Sequence, residues 1–360
     1  MKNALFIEPG RIGDYVLSMG SVIEFLSKKQ IRPIWVAREE LRELIIEQLG
    51  EDAWGGGIPS RFRLIDIPNF LIKMIRLRRI GIHSMCVMSP GKSARLAQIA
   101  FPKAIRRGYI DTYDIRRCLG VDGVWRNYDV TKDHLSQRAT FVLHPKDTHS
   151  CTKEEKKCGE FYSFLRPMVE PAKRIEMILC AKDVTVKSFI LFSIGARWSF
   201  RRWPLNYWAE LARSLTRDGH TVVLCGPPSE QEELNVIHKA ANSIKCLLLP
   251  TLSIPEFVEL ARTSKCMVTL DSGPMHIAAA VKTPCVALYG PSDPALTLGC
   301  AEQSSMMCVA RWEGCPFWPC IDPSNSNDGG GCRQGEHSCM KNLSVDVVHD
   351  AIKRSLFMGC

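Results

Sequence analysis

The 360-residue sequence predicts an α/β protein made of two successive Rossmann-like halves, and three observations support this. In the first half, short apolar segments typical of strands alternate with stretches whose apolar residues recur at helical spacing. Residues 145–185 interrupt this alternation with a polar, charged and proline-containing segment. The alternation then restarts at FILFSIG (189–195). Strands that alternate with helices form parallel sheets with helices on their faces.

The first half contains four strand-like segments. ALFIEP predicts the first strand; a glycine loop, GRIG, follows it, and apolar spacing predicts a helix from Asp14 to Lys28. IRPIWVA predicts the second strand, and residues 39–49 predict the second helix. MCVMSP and IRRGYI predict two more strands, with a helix at 93–101 between them.

The second half repeats this pattern more regularly. After FILFSIG, the strands predicted are TVVLCG, CLLLP, KCMVTL and CVALYG, and helices are predicted at 205–217, 229–242 and 254–263. SVDVVHDAIKRSLF predicts a terminal amphipathic helix. We therefore expect an N-terminal domain at 1–185, a C-terminal domain at 186–343 with a cysteine-rich loop at 315–339, and a helix at 344–360 that can pack back on the N-terminal domain.

Hydropathy predicts a cytoplasmic protein. No apolar run approaches the ~18 residues that predict a membrane span. The start, MKNALFIEPG, has only the apolar run ALFI, which is shorter than the core of a signal peptide. Most of the 16 cysteines are accordingly expected to be reduced thiols, often buried as small apolar side chains.

The net charge of +9 is concentrated in one part of the first half. Residues 61–117 contain 13 Lys or Arg and three Asp or Glu. Such a segment favours an acidic partner: a phosphorylated or carboxylated substrate, an anionic membrane surface, or nucleic acid. A solvated basic face is the alternative. Since this half lacks the interleaved aromatic residues of a single-strand binding platform, we expect no nucleic acid partner.

DSGPMHIAAAVKTPCVALYGPSDP (271–294) has the residue order of an anion-binding helix start. KCMVTL brings Asp271 to the carboxyl end of the sheet, where ligands bind in open parallel sheets. Ser272 suits an N-cap and Pro274 the first helical turn, so that helix N–H groups face a phosphate or diphosphate. His276 can donate to the same anion. The alternative is an ordinary capped helix that joins two strands.

Three other loops also lie at predicted strand ends. RWSFRRWP (197–204) offers arginines that suit a diphosphate, or else forms a basic solvated loop. In GPPSEQEE (226–233), Glu230 can accept hydrogen bonds from ribose hydroxyls, or else sits in an acidic first helical turn. In EPGRIGDYVLS (8–18), Asp14 is a candidate general base that takes a proton from an attacking hydroxyl, or else caps its helix.

Together, GRIGD, RRWP, GPPSE and the 271–294 motif resemble glycosyltransferase family 9, the heptosyltransferase family. SPGKSARLAQIAFPKAIRRGY is similar to the middle segment of that family's first domain, and the resemblance covers residues 1 to about 350. It implies a GT-B fold: two Rossmann-like domains that face each other across a cleft, the first binding the acceptor and the second the nucleotide-sugar donor. It also implies metal-independent, inverting transfer of a heptose from ADP-heptose, usually to the lipopolysaccharide inner core.

The resemblance assigns roles to individual residues. Asp14 matches the family's proposed catalytic base, Arg201 a donor-phosphate contact that is often Lys in the family, and Glu230 a ribose contact. The donor-binding loop is matched by Asp271, Ser272, Gly273 and His276. The acceptor side does not transfer residue by residue, so we name candidates from the basic segment: Lys92, Arg95, Arg106 and Arg107. That segment suits an acidic glycolipid acceptor, with the protein peripheral at the inner face of the inner membrane.

Other functions fit parts of the sequence. The acceptor could be a protein hydroxyl, which would make the chain a protein O-heptosyltransferase. The GT-B fold also serves sugar-nucleotide epimerases, which bind UDP-sugars and have no need of a basic acceptor half. A non-catalytic polyanion-binding protein is the third alternative, and steeply salt-dependent binding without transferase activity would favour it.

Four cysteines lie in one polar stretch: Cys315, Cys320, Cys332 and Cys339. They are separated by 4, 11 and 6 residues. Structural zinc favours two to four residues within a cysteine pair, so the first pair fits and the second does not. A structural zinc or iron site, free thiols and a labile disulfide all remain open, and some relatives that glycosylate proteins bind iron in a comparable region. No cofactor is expected for catalysis.

Overall fold

The computed structural model describes residues 2–59, 63–88, 96–97, 100–101, 104–111, 123–128, 165–298, 306–311, 315–320, 332, 335 and 338–358. The chain divides into two compact units, Met1–Leu165 and Arg166–Cys360. Each unit contains a six-stranded sheet in which every described strand pair is parallel.

The first unit has strands β1 to β6 and the described helices α1 to α3. The strands are β1 (Lys2–Glu8), β2 (Ile31–Arg38), β3 (Trp54–Ile58), β4 (Ile82–Val87), β5 (Ile105–Asp111) and β6 (Gly123–Tyr128). The helices are α1 (Ile12–Lys29), α2 (Arg42–Leu49) and α3 (Ile67–Arg78). The strand order is β3-β2-β1-β4-β5-β6, with β1 at the centre because Leu5 pairs with Ile34 on one side and Met85 on the other.

The second unit repeats the topology. Its strands are β7 (Phe189–Ser193), β8 (Thr221–Leu224), β9 (Cys246–Leu248), β10 (Cys266–Leu270), β11 (Cys285–Tyr289) and β12 (Met306–Ala310). Its helices are α4 (Val169–Cys180), α5 (Leu205–Arg217), α6 (Gln231–Ala241), α7 (Ile254–Thr263), α8 (Gly273–Ala280), α9 (Pro294–Thr297), α10 (Ser338–Lys341) and α11 (Val345–Met358). The order β12-β11-β10-β7-β8-β9 is that of the first sheet, so both units have the 3-2-1-4-5-6 order of Rossmann folds.

Burial on both faces of the central strands accounts for the apolar segments of the sequence. All residues of β7, β10 and β11 are buried, as expected for a parallel sheet covered on both sides. The largest core cluster of the second unit joins sheet residues such as Phe192 and Val268 to Trp208 of α5. In the first unit, Leu5 and Val36 pack with Phe70 and Met74 of α3.

The boundary between the units lies earlier in the chain than the predicted position at 185/186. α4 belongs to the second unit, where it packs against α7. The Met168 amide donates to the buried Glu259 carboxylate at 3.1 Å, and Arg174 pairs with Glu256. These contacts attach the segment that follows Leu165 to the second sheet.

The terminal helix α11 belongs to the second unit and packs in the core of that unit. Val348 and Ile352 lie in the core cluster of the second sheet, and the helix contacts α5 and β11. The indole N–H of Trp203 donates to the Leu343 carbonyl at 2.8 Å, which fixes the approach to the helix. Within the described part of the chain, no helix combines the length and apolar character needed to cross a membrane.

Candidate functional site

The second sheet brings two of the predicted site loops together. β7 and β10 are neighbours, and they lie where the strand order reverses. In open parallel sheets, ligands bind beyond the carboxyl ends of the strands at this switch point. The loop after β7 leads to Arg201, and the residue after β10 is Asp271. The topology therefore accounts for the proximity of these two side chains.

Arg201 and Asp271 form a buried ion pair. Arg201 Nη1 donates to Asp271 Oδ2 at 3.0 Å and to the Asp271 carbonyl at 3.2 Å. The Asp271 side chain is 6% exposed and that of Arg201 15%. The buried Ser292 hydroxyl, in the loop after β11, also donates to Asp271 Oδ2. The carboxylate thus orients the guanidinium and offsets part of its charge.

Trp198 fixes the other side of the Arg201 guanidinium. The Arg201 Cζ lies 4.5 Å from the centroid of the Trp198 ring, within the range of a cation–π contact. Trp198 in turn stacks on Phe200. Arg201 Nε is buried and has no hydrogen-bond partner among the described residues. A guanidinium held in this way keeps a donor for an anion at the sheet edge.

The N-terminus of α8 lies beside this pair. Ser272 occupies the predicted N-cap position, with extended backbone. Its hydroxyl donates to the Leu270 carbonyl and does not cap the helix. Gly273 and Pro274 form the first turn, and His276 is buried one turn inside. The first-turn N–H groups of α8 therefore do not donate to the Ser272 side chain, and such groups suit an anion.

Glu230 lies in a narrow space at the same sheet edge, between the loop after β7 and the start of its own loop after β8. It ends a short 3₁₀ helix, Pro228–Glu230, that follows β8. A methyl group on Gly195 would overlap with its carboxylate, and Gly226 is also close. Burial raises the pKa of the Glu230 carboxyl to about 7; the Arg202 guanidinium lowers this pKa and Glu233 raises it. Arg202 itself is paired with Glu233 at 2.6 Å.

Asp14 caps the helix at whose start it lies. α1 begins at Ile12, and the Arg11 amide donates to Asp14 Oδ2 at 2.9 Å. Gly10 lies close to both Asp14 and the buried Glu8, and its amide donates to Glu8 Oε1 at 2.7 Å. Asp14 is half-buried. The capping role weighed from the sequence is therefore present.

The predicted acceptor residues are described only in part. Lys92 and Arg95 lie outside the described residues. Arg106 and Arg107 lie on β5, in register with Met85 and Cys86 of β4, and the structure describes their backbone but not their side chains.

The four cysteines of the 315–339 loop share one neighbourhood. All four are half-buried thiols. The pKa of the Cys339 thiol is raised to about 11: burial and the proximity of Cys320, Cys332 and Cys315 raise it, and a hydrogen bond with the Met340 backbone lowers it. The cluster adjoins the loop after β11, because the Cys320 amide donates to the Pro291 carbonyl at 2.9 Å. Four thiols are donors that suit zinc or iron, but no three His, Cys, Asp or Glu among the described residues form a coordination sphere.

Three site residues were not singled out from the sequence. Ser292 lies in GPSDP, 21 positions after Asp271, so only the strand topology brings the two together. Trp198 lies in the RWSFRRWP loop, where an aromatic residue beside arginines could have indicated a cation–π contact. Glu8 ends β1 at the carboxyl edge of the first sheet, and its position directly before the glycine loop could have indicated it.

The chain is similar to proteins of one family. The family model "Glycosyltransferase family 9 (heptosyltransferase)" matches residues 125–318, more than half of the chain. Lipopolysaccharide heptosyltransferase 2 of Salmonella typhimurium is 37% identical over 141 residues, which are 37% of this chain and 40% of that protein. The aligned part thus spans less than half the length of that curated relative.

Solved structures extend the similarity to the whole fold. ADP-heptose lipopolysaccharide heptosyltransferase II of Escherichia coli aligns over 99% of both chains with a TM-score of 0.76 and 23% identity. An iron-containing dodecameric glycosyltransferase of enterotoxigenic E. coli covers 98% of this chain and 78% of its own, with a TM-score of 0.58 and 14% identity. At these identities the similarity concerns the fold alone, and it confirms the predicted GT-B class with two Rossmann-like units.

Proposed function

Since the chain belongs to glycosyltransferase family 9, the heptosyltransferase family, we propose that it transfers a heptose from ADP-heptose to an acidic acceptor, the lipopolysaccharide inner core. The observation that carries this proposal is the sheet edge where Arg201, Asp271 and the start of α8 meet. These are the residues to which the resemblance gives donor contacts, and their geometry suits a diphosphate. Relatives named as lipopolysaccharide heptosyltransferases support the choice of sugar and acceptor.

The reaction has two demanding events. An acceptor hydroxyl attacks the anomeric carbon of the heptose and loses its proton, while the bond from that carbon to the diphosphate oxygen breaks and ADP leaves with the electron pair. In this proposal Asp14 accepts the proton as general base. Attack on the face opposite the departing diphosphate inverts the anomeric configuration.

The charge that develops on the leaving diphosphate would be stabilised by groups of the second unit. Arg201 supplies a guanidinium already oriented by Asp271 and Trp198, and the first turn of α8 supplies N–H groups. His276 would donate to the same oxygens, and Glu230 would accept from the ribose. We propose that these groups suffice without a metal ion in catalysis.

The acceptor side of the proposal rests on charge. Lys92, Arg95, Arg106 and Arg107 belong to the segment that carries the excess of basic residues, and an inner-core acceptor bears phosphates and carboxylates. Such an acceptor is anchored in lipid, so we propose that the protein works in the cytoplasm, peripherally at the inner face of the inner membrane. A protein hydroxyl is the alternative acceptor.

Incubating the protein with ADP-heptose and a panel of acceptors tests the proposed reaction. We expect a mass increase of one heptose on an inner-core acceptor, an inverted anomeric configuration by NMR, and turnover in the presence of a chelator. A UDP-sugar panel, an unfolded peptide panel and a polyanion are run in parallel. Three outcomes would contradict the proposed reaction. Epimerisation of a UDP-sugar would indicate an epimerase, and modification of the peptides alone would indicate a protein O-heptosyltransferase. Salt-dependent polyanion binding without turnover would indicate a non-catalytic binding protein.

Glu230 should make donor binding depend on pH near neutrality. Its pKa in the free protein is about 7, so the carboxylate is ionised above that pH and protonated below it. Ribose hydroxyls donate best to the ionised form, so donor affinity should rise with pH, level off above pH 8, and be about tenfold lower at pH 6. Calorimetry with ADP-heptose measures this affinity. ADP-heptose is a better ligand than ADP for the test, because its diphosphate is esterified at both ends and lacks the terminal phosphate that titrates at about pH 6 in ADP.

Three variants separate this effect from others. Glu230→Gln should bind more weakly at pH 8 and lose the pH dependence. Gly195→Ala keeps the carboxylate but displaces it, since the added methyl overlaps with it, so affinity should fall without loss of the fold. Glu232→Gln, at an exposed carboxylate of the same helix start, is the control that should behave as wild type. A pH dependence that persists in Glu230→Gln would assign the titration elsewhere.

The cysteine cluster carries a separate proposal, a structural zinc or iron ion. Four neighbouring thiols and the iron-containing glycosyltransferase of similar fold support it. We expect about one metal ion per chain by elemental analysis after anaerobic purification, and its loss in Cys320→Ser/Cys332→Ser. Cys180→Ser, at an exposed cysteine on α4, is the control. Protein that contains neither metal under these conditions would reject the site.

A further inference from the structure

Exposed apolar side chains are concentrated on one short segment of the first unit. Among the described residues, twelve large apolar side chains are strongly exposed, and five of them lie between residues 64 and 80. Leu64 and Ile65 are 84% and 80% exposed. They precede α3, whose residues Ile72 and Ile75 are about half exposed; Ile80 follows the helix. Exposed apolar side chains that cluster in one segment mark an interaction site more often than scattered single residues do.

The helical geometry places Ile72 and Ile75 opposite the core. Phe70, Met74 and Leu77 are the buried residues of α3, at the i, i+4, i+7 spacing of one helix face. Ile72 and Ile75 are three positions apart on the opposite face. α3 therefore has two apolar faces, and the described residues of its own unit bury only one of them.

Arginines border the uncovered face. Arg63 lies before α3, Arg76 on its last turn, and Arg79 directly after it; all three are exposed. Arg78 is also exposed and lies on the other side of the Ile72–Ile75 stripe. Asp66 is the only acidic residue between positions 63 and 80, and its carboxylate accepts from the Arg63 amide. Helix-dipole stabilisation accounts for basic residues at a C-terminus, but it does not account for isoleucines in water between them.

We propose that one surface of the first unit docks the protein on an anionic lipid bilayer. This surface, here called the α3 face, consists of Leu64, Ile65, Ile72, Ile75, Arg63, Arg76, Arg78 and Arg79. Apolar side chains on such a helix enter the boundary between headgroups and acyl chains, and arginines extend their charged ends to the lipid phosphates. A soluble anion would use the arginines but gain nothing from the isoleucines. The charge of the face complements an anionic leaflet.

The inference rests on the proposed function for its setting, a lipid-anchored acceptor, but it assigns a surface that is separate from the donor site. A protein held at the leaflet meets its acceptor by diffusion in two dimensions. The α3 face would then raise the rate on acceptor embedded in a bilayer and leave the rate on a detergent-free, delipidated acceptor unchanged.

Vesicle co-sedimentation without any acceptor or donor tests the docking. The full-length protein is mixed with vesicles of phosphatidylethanolamine and phosphatidylglycerol, and with vesicles of phosphatidylcholine alone. We expect binding to the anionic vesicles that weakens with salt. Arg76→Gln/Arg79→Gln should lower the partition coefficient by about 25-fold, at about fivefold for each charge. Ile72→Gln/Ile75→Gln should lower it by about tenfold or more.

The second unit offers matched controls. Ile244 is 94% exposed and Val236 about half exposed, so Val236→Gln/Ile244→Gln removes comparable apolar surface elsewhere. Arg217→Gln/Lys239→Gln removes two exposed charges. Neither control should change vesicle binding, and circular dichroism checks that all variants fold.

Each remaining outcome contradicts the inference. Wild type that does not bind anionic vesicles, α3 variants that bind as wild type does, or controls that lose as much binding would overturn it. So would a concentration-dependent oligomer that the α3 variants dissociate, since the face would then join two copies of the chain. Turnover on the delipidated acceptor is measured separately. If the wild-type protein shows no such turnover, the proposed function is contradicted, but the docking inference still depends on vesicle binding alone.

Discussion

Replacing Asp14 by asparagine is expected to lower kcat for heptose transfer by about 100- to 10,000-fold, the range that a general base contributes. Asparagine keeps the oxygen that accepts from the Arg11 amide, so α1 retains its cap. It cannot accept the proton of the acceptor hydroxyl. Steady-state kinetics should show the loss in kcat, and calorimetry should show unchanged affinity for ADP-heptose, because the donor is bound by residues of the second unit in our proposal.

The chain contains a matched control for this variant. Asp66 makes the same capping arrangement at the helix start before α3, where the Arg63 amide donates to its Oδ2 at 2.7 Å. Asp66→Asn therefore loses the same charge near a helix start, worth about 0.3–1 kcal/mol, without touching the proposed chemistry. It should keep full turnover on a soluble acceptor. Full turnover of Asp14→Asn as well would leave Asp14 with only its capping role.

The strand-end loops could be predicted from the sequence because parallel sheets obey simple rules. Apolar runs such as KCMVTL and CVALYG are buried on both faces, so their strand assignments follow from composition alone. Helix α7 begins where its capping box, Ser253 with Glu256, indicates. Once strands alternate with helices, Asp271 and Arg201 fall at one edge of one sheet, and the candidate site follows.

Elements with atypical composition could not be predicted in this way. β3 has the sequence WGGGI, and glycines usually weaken a strand, but it pairs with β2 at the edge of the sheet. Helix α4 carries Pro171 in its first turn, where a missing N–H removes no helical bond. The prolines of residues 145–185 favour irregular structure, so the sequence predicts a later boundary than the division after Leu165.

The relations between side chains were the least predictable part of the site. Sequence motifs suggest that Arg201 and Asp271 both face a ligand, whereas the structure pairs them with each other. Strand order brings loops together, but the direction of each side chain depends on neighbours such as Trp198 and Ser292. The raised pKa of Glu230 likewise results from its burial, which no local pattern encodes.

The pairing of Arg201 with Asp271 makes a second strong prediction. Arg201→Gln should lower kcat by about 100- to 1,000-fold, the loss seen when one group that stabilises a developing negative charge is removed. Asp271→Asn should also lower kcat, because the guanidinium loses the carboxylate that orients it. If Asp271 acts through Arg201, the double variant should be hardly worse than Arg201→Gln alone.

Stability provides an independent readout of the same pair. Arg201→Gln leaves a buried, uncompensated carboxylate, and breaking a buried pair in this way costs about 3–5 kcal/mol. Arg201→Gln/Asp271→Asn removes both charges, so thermal unfolding should show the double variant to be more stable than Arg201→Gln. Arg213→Gln, at an exposed arginine that donates to the Ala240 carbonyl, is the control and should change neither readout appreciably.

The combination of the two readouts distinguishes the possible roles of Asp271. Non-additive stability together with non-additive kcat means that its carboxylate positions Arg201. Non-additive stability with additive losses of kcat would mean that Asp271 also contacts the donor directly, as the family resemblance suggests. Wild-type kcat in Arg201→Gln would remove Arg201 from the reaction and leave the start of α8 as the main stabiliser of the departing diphosphate.

Ser292→Ala deletes one of the hydrogen bonds to the Asp271 carboxylate. It should lower kcat in the same way as Asp271→Asn but by less, about tenfold.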